Sequence, residues 1–232
     1  MSILHETQKD RDIELAFLLK TTYEHIKSFK IGDQDSIKIY DNKKILENEE
    51  AFLSLYEQYN YLNFIGYLKT LMFTSVERRG SILKNVIYNT KNKRCLDFGS
   101  GVGTHAIALL ENNNKVDILD VKGPLLEFTK KRIVNRGYDV FVFYHNSLLP
   151  KNEYDLIICC DVLEHVYDPI KEFDRICLSL KDKGKLFLQV SHKIKPSSGH
   201  FAQSINLWKK EGISKLNTLF KNISKDLYIK RT

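Results

Sequence analysis

Arg94-Cys-Leu-Asp-Phe-Gly-Ser-Gly-Val-Gly-Thr104 is the stretch on which the reading of this chain turns. It predicts a short buried strand that ends on a carboxylate and turns through the alternate glycines 99, 101 and 103 into a helix. A residue without a Cβ lets backbone approach backbone or ligand where any side chain would clash. The N–H groups at the start of the following helix then point at whatever binds there. Asp97, ahead of the turn, places negative charge where a pyrophosphate would be repelled. The combination favours a ligand with a cationic group.

Lys115-Val-Asp-Ile-Leu-Asp-Val121 is a second apolar strand ending in an acid, Asp120. It lies about twenty residues beyond the glycine turn, where a carboxylate can accept both hydroxyls of a ribose. Two ligands compete on this pattern, a nicotinamide dinucleotide and S-adenosylmethionine. The dinucleotide fingerprint asks for Gly or Ala three residues after its second glycine, and here that position is Thr104. Asp97, Gly99, Gly101, Gly103 and Asp120 together resemble the class I S-adenosylmethionine-dependent methyltransferases. Tyr154-Asp-Leu-Ile-Ile-Cys-Cys-Asp-Val-Leu-Glu-His-Val166 resembles the strand-four signature of that family, in the subgroup of ubiquinone-biosynthesis O-methyltransferases and small-molecule enzymes. The resemblance covers about residues 75 to 192.

Working outward, strands are expected near 94–98, 115–121, 139–144, 155–161 and 184–191, and helices near 103–112, 124–136 and 164–181. Such alternation specifies a parallel sheet with right-handed crossovers and ligands at the strands' carboxyl ends. Asp97, Asp120, Asn146 and Asp161 all fall at such ends. The fold class is therefore α/β, and the resemblance implies a Rossmann-like, mainly parallel seven-stranded type of sheet with helices on both faces. An amphipathic helix marked by Ile205, Trp208, Ile213, Leu216, Leu219 and Phe220 leaves only 226–231 for a strand, so the C-terminal hairpin is expected to be shortened.

Residues 1–74 read as a helical N-terminal addition and 75–232 as the cofactor-binding domain. A stripe of Ile13, Phe17, Leu18, Tyr23, Ile26 and Phe29 predicts the first helix, 36–40 a short strand or extended loop, and 47–59, 61–73 and 75–88 further helices. The aromatic run Tyr56, Tyr59, Tyr61, Phe64 and Tyr67 reads as core or as part of a lid over an acceptor.

The chain of 232 residues carries a net charge of +7. The last forty residues hold nine Lys and Arg against two Asp and Glu, which accounts for that excess. Such a surplus reads as a solvated helix face or as a contact for phosphate-bearing partners, nucleic acid included. With no run of eighteen apolar residues and no signal-peptide plan, the expectation is a cytoplasmic protein without membrane insertion. Cys95, Cys159, Cys160 and Cys177 show no metal-type spacing and read as reduced core residues, with Cys159 and Cys160 on opposite faces of one strand.

The resemblance also implies roles. Gly99, Ser100, Gly101 and Gly103 form the cofactor loop, Asp97 faces the methionine ammonium directly or through water, and Asp120 and Val121 take the ribose end. Asn146 and Ser147 stand where the family often meets the adenine, Asp161 beside the methionyl part, and Arg78 where an arginine meets the cofactor's carboxylate. Glu164 and His165 follow Asp161 at i+3 and i+4, read as the start of a helix, with His192 and His200 farther on. That set resembles the metal ligands of small-RNA 3′-end 2′-O-methyltransferases, although many small-molecule members carry Leu-Glu-His without a metal. The reading adopted has no metal, with His192 or His165 as general base. No Asn/Asp-Pro-Pro-aromatic motif follows strand four, which argues against methylation of adenine or glutamine amino groups. The expected reaction is transfer of a methyl group from S-adenosylmethionine to a small-molecule oxygen or nitrogen, a sugar or phosphate-bearing metabolite included, leaving S-adenosylhomocysteine. A nucleic-acid methyltransferase using the basic tail and a cofactor-binding protein without transfer activity are the alternatives.

Overall fold

The computed structural model describes residues 2–30, 64–77, 80–193 and 200–232. Its centre is a seven-stranded sheet in the order β3-β2-β1-β4-β5-β7-β6. The strands are β1 (Arg94–Phe98), β2 (Lys115–Asp120), β3 (Phe141–Tyr144), β4 (Tyr154–Cys160), β5 (Leu180–Gln189), β6 (Phe220–Ser224) and β7 (Leu227–Lys230). The first five are parallel, and β7 pairs antiparallel with both β5 and β6. Asp120 pairs with Tyr144 and Cys160 with Gln189, so the carboxyl ends of these strands reach one edge of the sheet.

The helices between strands are α5 (Thr104–Glu111), α6 (Pro124–Asn135) and α7 (Pro169–Ser179), preceded by α4 (Gly80–Tyr88). Central parallel strands buried on both faces read as continuous apolar runs, and alternate residues feed two cores. Cys95, Ile158 and Cys160 pack with α4, α5 and α6 on one face. Leu96, Ile157 and Cys159 pack with Phe173 and Ile176 of α7 and with Trp208 on the other. Cys159 and Cys160 thus point to opposite faces, and all four cysteines are buried thiols outside any disulfide.

The N-terminal part differs from its expected outline. One stripe over 13–29 becomes two helices, α1 (Gln8–Leu19) and α2 (Tyr23–Ser28), separated at Lys20, whose φ of 54° ends α1. Ile13 and Phe17 lie outward, 48% and 66% exposed, while Leu15, Ala16 and Leu18 are buried. Leu18 and Ile26 of the stripe are buried as expected, and Ile13 and Phe17 are not, because α1 turns polar residues inward. Asp12 is buried in an ion pair with Lys69 at 3.0 Å, on α3 (Phe64–Glu77), and Arg11 donates to the Glu6 carbonyl at 2.9 Å. The helices expected at 61–73 and 75–88 are described instead as α3, which continues to Glu77, and α4, which is described from Gly80. The expected strand at 36–40, the helix at 47–59, Tyr56, Tyr59 and Tyr61 lie outside the described residues. Tyr67 packs partly against the core shared by α1 and α3.

At the other end the hairpin is short but has both strands. Helical structure runs from α8 (Ala202–Leu207) through a π-turn (Trp208–Gly212) into α9 (Ile213–Leu219) and stops one residue before Phe220, which opens β6. Phe220 stays in the same core as Leu216, 5.8 Å from the Phe173 ring, so burial alone could not tell strand from helix there. No helix among the described residues is long and apolar enough to cross a membrane.

Candidate active site

The glycine loop joins β1 to α5, and its three glycines are not glycine for one reason. All have positive φ, at 74°, 53° and 73° for Gly99, Gly101 and Gly103. A Cβ on Gly99 would stand 2.3 Å from Val162, and one on Gly103 2.7 Å from Thr129. These two positions are required by close packing against the β4 end and α6. A Cβ on Gly101 would meet nothing within 4 Å. Gly101 therefore faces open space, the position at which backbone can approach a ligand.

The loop is tied down by hydrogen bonds to the end of β2 and within itself. The N–H groups of Gly99 and Ser100 donate to the Leu119 carbonyl at 2.8 and 3.1 Å, and that of Gly103 to the Ser100 carbonyl at 2.8 Å. Asp120 is the clasp: one carboxylate oxygen accepts Gly101 N–H at 2.7 Å and the other Val121 N–H at 2.8 Å. An ionised carboxylate has about four lone-pair sites, so hydroxyl donors can still be accepted. Partial burial raises the Asp120 carboxyl to about 6 against the two N–H donors, and the nearby Asp97 charge adds to the rise.

Asp97 is only 1% exposed. Its carboxylate accepts Ala106 N–H at 3.1 Å at the start of α5, and His105 Nδ1 lies 3.8 Å from its other oxygen. A carboxylate at a helix N-terminus is favoured by the dipole and satisfies an otherwise unpaired donor. Asp97 thus shapes the loop from beneath, and its negative charge sits at the β1 end.

After β3, Asn146 is exposed and Ser147 half-buried. Ser147 closes the turn, its Oγ accepting Tyr144 N–H at 3.0 Å and its carbonyl accepting Arg175 at 2.8 Å. Asp161 is exposed at the end of β4 with φ of 53°, its N–H bonded to the Gln189 carbonyl at 2.9 Å. Arg78 lies outside the described residues.

Glu164 and His165 do not begin a helix as the i, i+3, i+4 reading required. Leu163–His165 is a single 3-10 turn, and α7 starts at Pro169. The residue before a proline avoids the α region, so helix could not run through Asp168. Asp168 instead caps α7, accepting the N–H groups of Ile170 and Lys171 at 2.9 and 3.0 Å. The Asp-Pro pair was the signal for this boundary.

Glu164 is buried and accepts Ser191 N–H at 2.7 Å, which links the ends of β4 and β5. His165 and His200 pack edge to face, with ring centres 4.8 Å apart. Among the described residues, ligand-type atoms of Glu164, His165 and His200 lie within 4.8 Å of one another. The structure therefore joins His200 to the Glu164–His165 pair, whereas Asp161 and His192 stand exposed outside that group. His200 Nδ1 bonds the Lys193 carbonyl at 2.9 Å. Thr129 and Arg132 on α6, which also hold the loop, carried no local signal: they reach it from 28 and 30 residues away in sequence.

Residues 66–221 match the family described as a methyltransferase domain. A Methanocaldococcus jannaschii protein of uncharacterized function is 30% identical over 141 residues, 60% of each chain. The ubiquinone biosynthesis O-methyltransferase of Coxiella burnetii is 27% identical over 106 residues, 44% of this chain and 45% of that one. The matches thus span about half the length of these curated relatives. A crystal structure of an S-adenosylmethionine-dependent methyltransferase from Aquifex aeolicus is 16% identical with a TM-score of 0.46, covering 63% of this chain and 87% of that one.

Proposed function

The chain belongs to the S-adenosylmethionine-dependent methyltransferases of the matched domain family, and we propose that it methylates a hydroxyl or amine of a small-molecule acceptor, a sugar or phosphate-bearing metabolite among the candidates. The observation that carries the reading is the cradle at Gly101, open where a Cβ would stand and flanked by Asp97 and Asp120. When bound, the cofactor supplies a methyl carbon made electron-poor by a sulfonium.

Asp120 accepts the ribose hydroxyls with the lone pairs its two N–H donors leave. Asp97 draws the ammonium end towards β1, and Asp161 lines the methionyl side. Asn146 and Ser147 meet the adenine edge, with Val121 beside it, and Ser100 completes the loop. Arg78 is assigned to the cofactor's carboxylate by resemblance alone. The protein's main contribution is placement of the acceptor atom in line with the methyl group. For a hydroxyl acceptor, His165 or His192 would take the proton of the acceptor oxygen, and the bound cofactor would supply the methyl group and leave as S-adenosylhomocysteine. Both histidines follow the ends of neighbouring strands, β4 and β5. An imidazole near neutrality suits that task.

The test is transfer of label from methyl-labelled S-adenosylmethionine to a panel of hydroxyl- and amine-bearing metabolites, with RNA as a parallel acceptor. Label on a small molecule supports the proposal. Label on RNA alone, with binding that weakens steeply with salt, would replace it with the nucleic-acid reading.

A further inference from the structure

The glycine loop has an outer side, turned away from the open cradle, and that side is fastened to the N-terminal helices. Val102, between Gly101 and Gly103, is 3% exposed and packs with Leu15 and Leu18 of α1, Ile26 of α2 and Leu68 and Met72 of α3. The Val102 carbonyl accepts Arg132 Nη1 at 2.8 Å, and the same nitrogen donates at 3.1 Å to Thr104 Oγ1 at the start of α5. Thr129 Oγ1 donates to the neighbouring Gly101 carbonyl.

Arg132 has no exposed surface, and its counter-charge comes from α1. Glu14 Oε2 accepts Arg132 Nε at 2.9 Å and lies 2.8 Å from Nη2. Glu14 Oε1 accepts Arg136 Nε at 2.6 Å, and Arg136 also reaches Glu6 at 2.6 Å. A guanidinium buried this completely is tolerated only while its partner is in place. Arg132 can therefore hold the Val102 carbonyl in this geometry only while α1 is docked.

We infer that Arg132 is a positioning residue through which docking of α1 fixes the shape of the cofactor loop, so that cofactor binding and α1 docking strengthen each other. This rests on the methyltransferase reading above. Three residues of the loop hold positive φ, and the loop keeps that path through ties at Asp120, Thr129 and Arg132. Without the Arg132 tie the loop samples more conformers, and binding must order them. Linkage is reciprocal: a cofactor that orders the loop must also slow the opening of α1. The N-terminal helices then act on the cofactor from behind the loop, a duty separate from covering an acceptor.

Hydrogen exchange on the full chain, with and without S-adenosylhomocysteine, tests this directly. The expected result is slower exchange of amides in 8–19 on binding, with the β6–β7 hairpin at the far edge of the sheet unchanged. Arg132→Lys keeps a charge beside Glu14 but loses the planar fork that spans Glu14 and Val102. It should weaken S-adenosylhomocysteine binding on the order of tenfold and abolish the ligand-linked protection of α1. A role confined to stability would lower the melting temperature while leaving affinity and protection intact, and that result overturns the inference. If Arg132→Lys does not fold, exchange in the wild-type chain decides alone: binding without slower exchange in α1 refutes the coupling. Calorimetry showing no binding to the wild-type chain would instead remove the cofactor reading, and the inference with it.

Discussion

The ends of β1 and β2 and the ends of β4 and β5 form two halves of one edge, and they are built differently. In the first half every acid is locked to nearby backbone. Asp97 holds Ala106 nine residues on, and Asp120 holds its own neighbour Val121 and Gly101. In the second half Asp161 and His192 are exposed, and Glu164, His165 and His200 meet only because segments 36 residues apart fold together. The first half is a receptacle whose acids are held by contacts close in sequence, while the outer side of the loop between them is tied to Arg132 and through it to α1. The second is a surface whose chemistry is assembled over distance. A family can keep one cofactor through the first half and change acceptors through the second, as general experience of sites grafted on common folds suggests.

The difference breaks most visibly under substitution of the histidines. If the β4–β5 half carries the proton transfer, His165→Ala or His192→Ala lowers turnover of a hydroxyl acceptor by about 10²–10⁴, the usual worth of a general base. Affinity for S-adenosylhomocysteine should be unchanged, because the receptacle half is intact. A variant that loses cofactor affinity together with rate would show that the two halves are not separable. Full turnover in both variants would leave the acceptor to alignment alone, as an amine acceptor allows.

What could be read in advance follows the same division. The strand–glycine–helix run, the acid ending β2 and Pro124 opening α6 lie close in sequence, and each appears where the pattern put it. What escaped was nonlocal. The inward face of α1 carries Arg11 and Asp12, whose partners Glu6 and Lys69 make polar burial tolerable, so hydrophobic periodicity found Leu18 and Ile26 but misplaced Ile13 and Phe17. Phe220 fitted the helix stripe because strand and helix would bury it in one core. Thr129 and Arg132 lie within the expected helix 124–136 without any local mark of their role, and only the folded loop gives them these partners.

The glycines sharpen the comparison inside the receptacle. Gly99→Ala forces a Cβ to 2.3 Å from Val162 at a positive φ. It should cost about 1–3 kcal/mol of folding stability through overpacking, with backbone strain added. Gly101→Ala has open space around its Cβ and should cost stability only through its φ, roughly 1 kcal/mol, while cofactor affinity falls because the methyl group occupies the approach. Denaturant melts beside calorimetry separate the two. Equal stability losses with equal affinity losses would contradict the assignment of packing to Gly99 and ligand approach to Gly101.

The smallest expected effect tests the charge on Asp120. Ribose hydroxyls donate to a carboxylate and lose an acceptor when it is protonated. The folded carboxyl titrates at about 6 because burial disfavours its charge more than Gly101 and Val121 N–H favour it. Binding that requires the ionised form weakens as pH falls through that value, by up to a factor of ten per unit below it. Between about pH 7 and about pH 5 the charged fraction falls roughly tenfold, so S-adenosylhomocysteine affinity should fall by about the same factor. Asp120→Asn should bind weakly at both ends of that range and lose the slope. An affinity flat with pH in the wild-type chain would mean that the carboxylate only clasps the glycine loop, and that the sugar is held elsewhere.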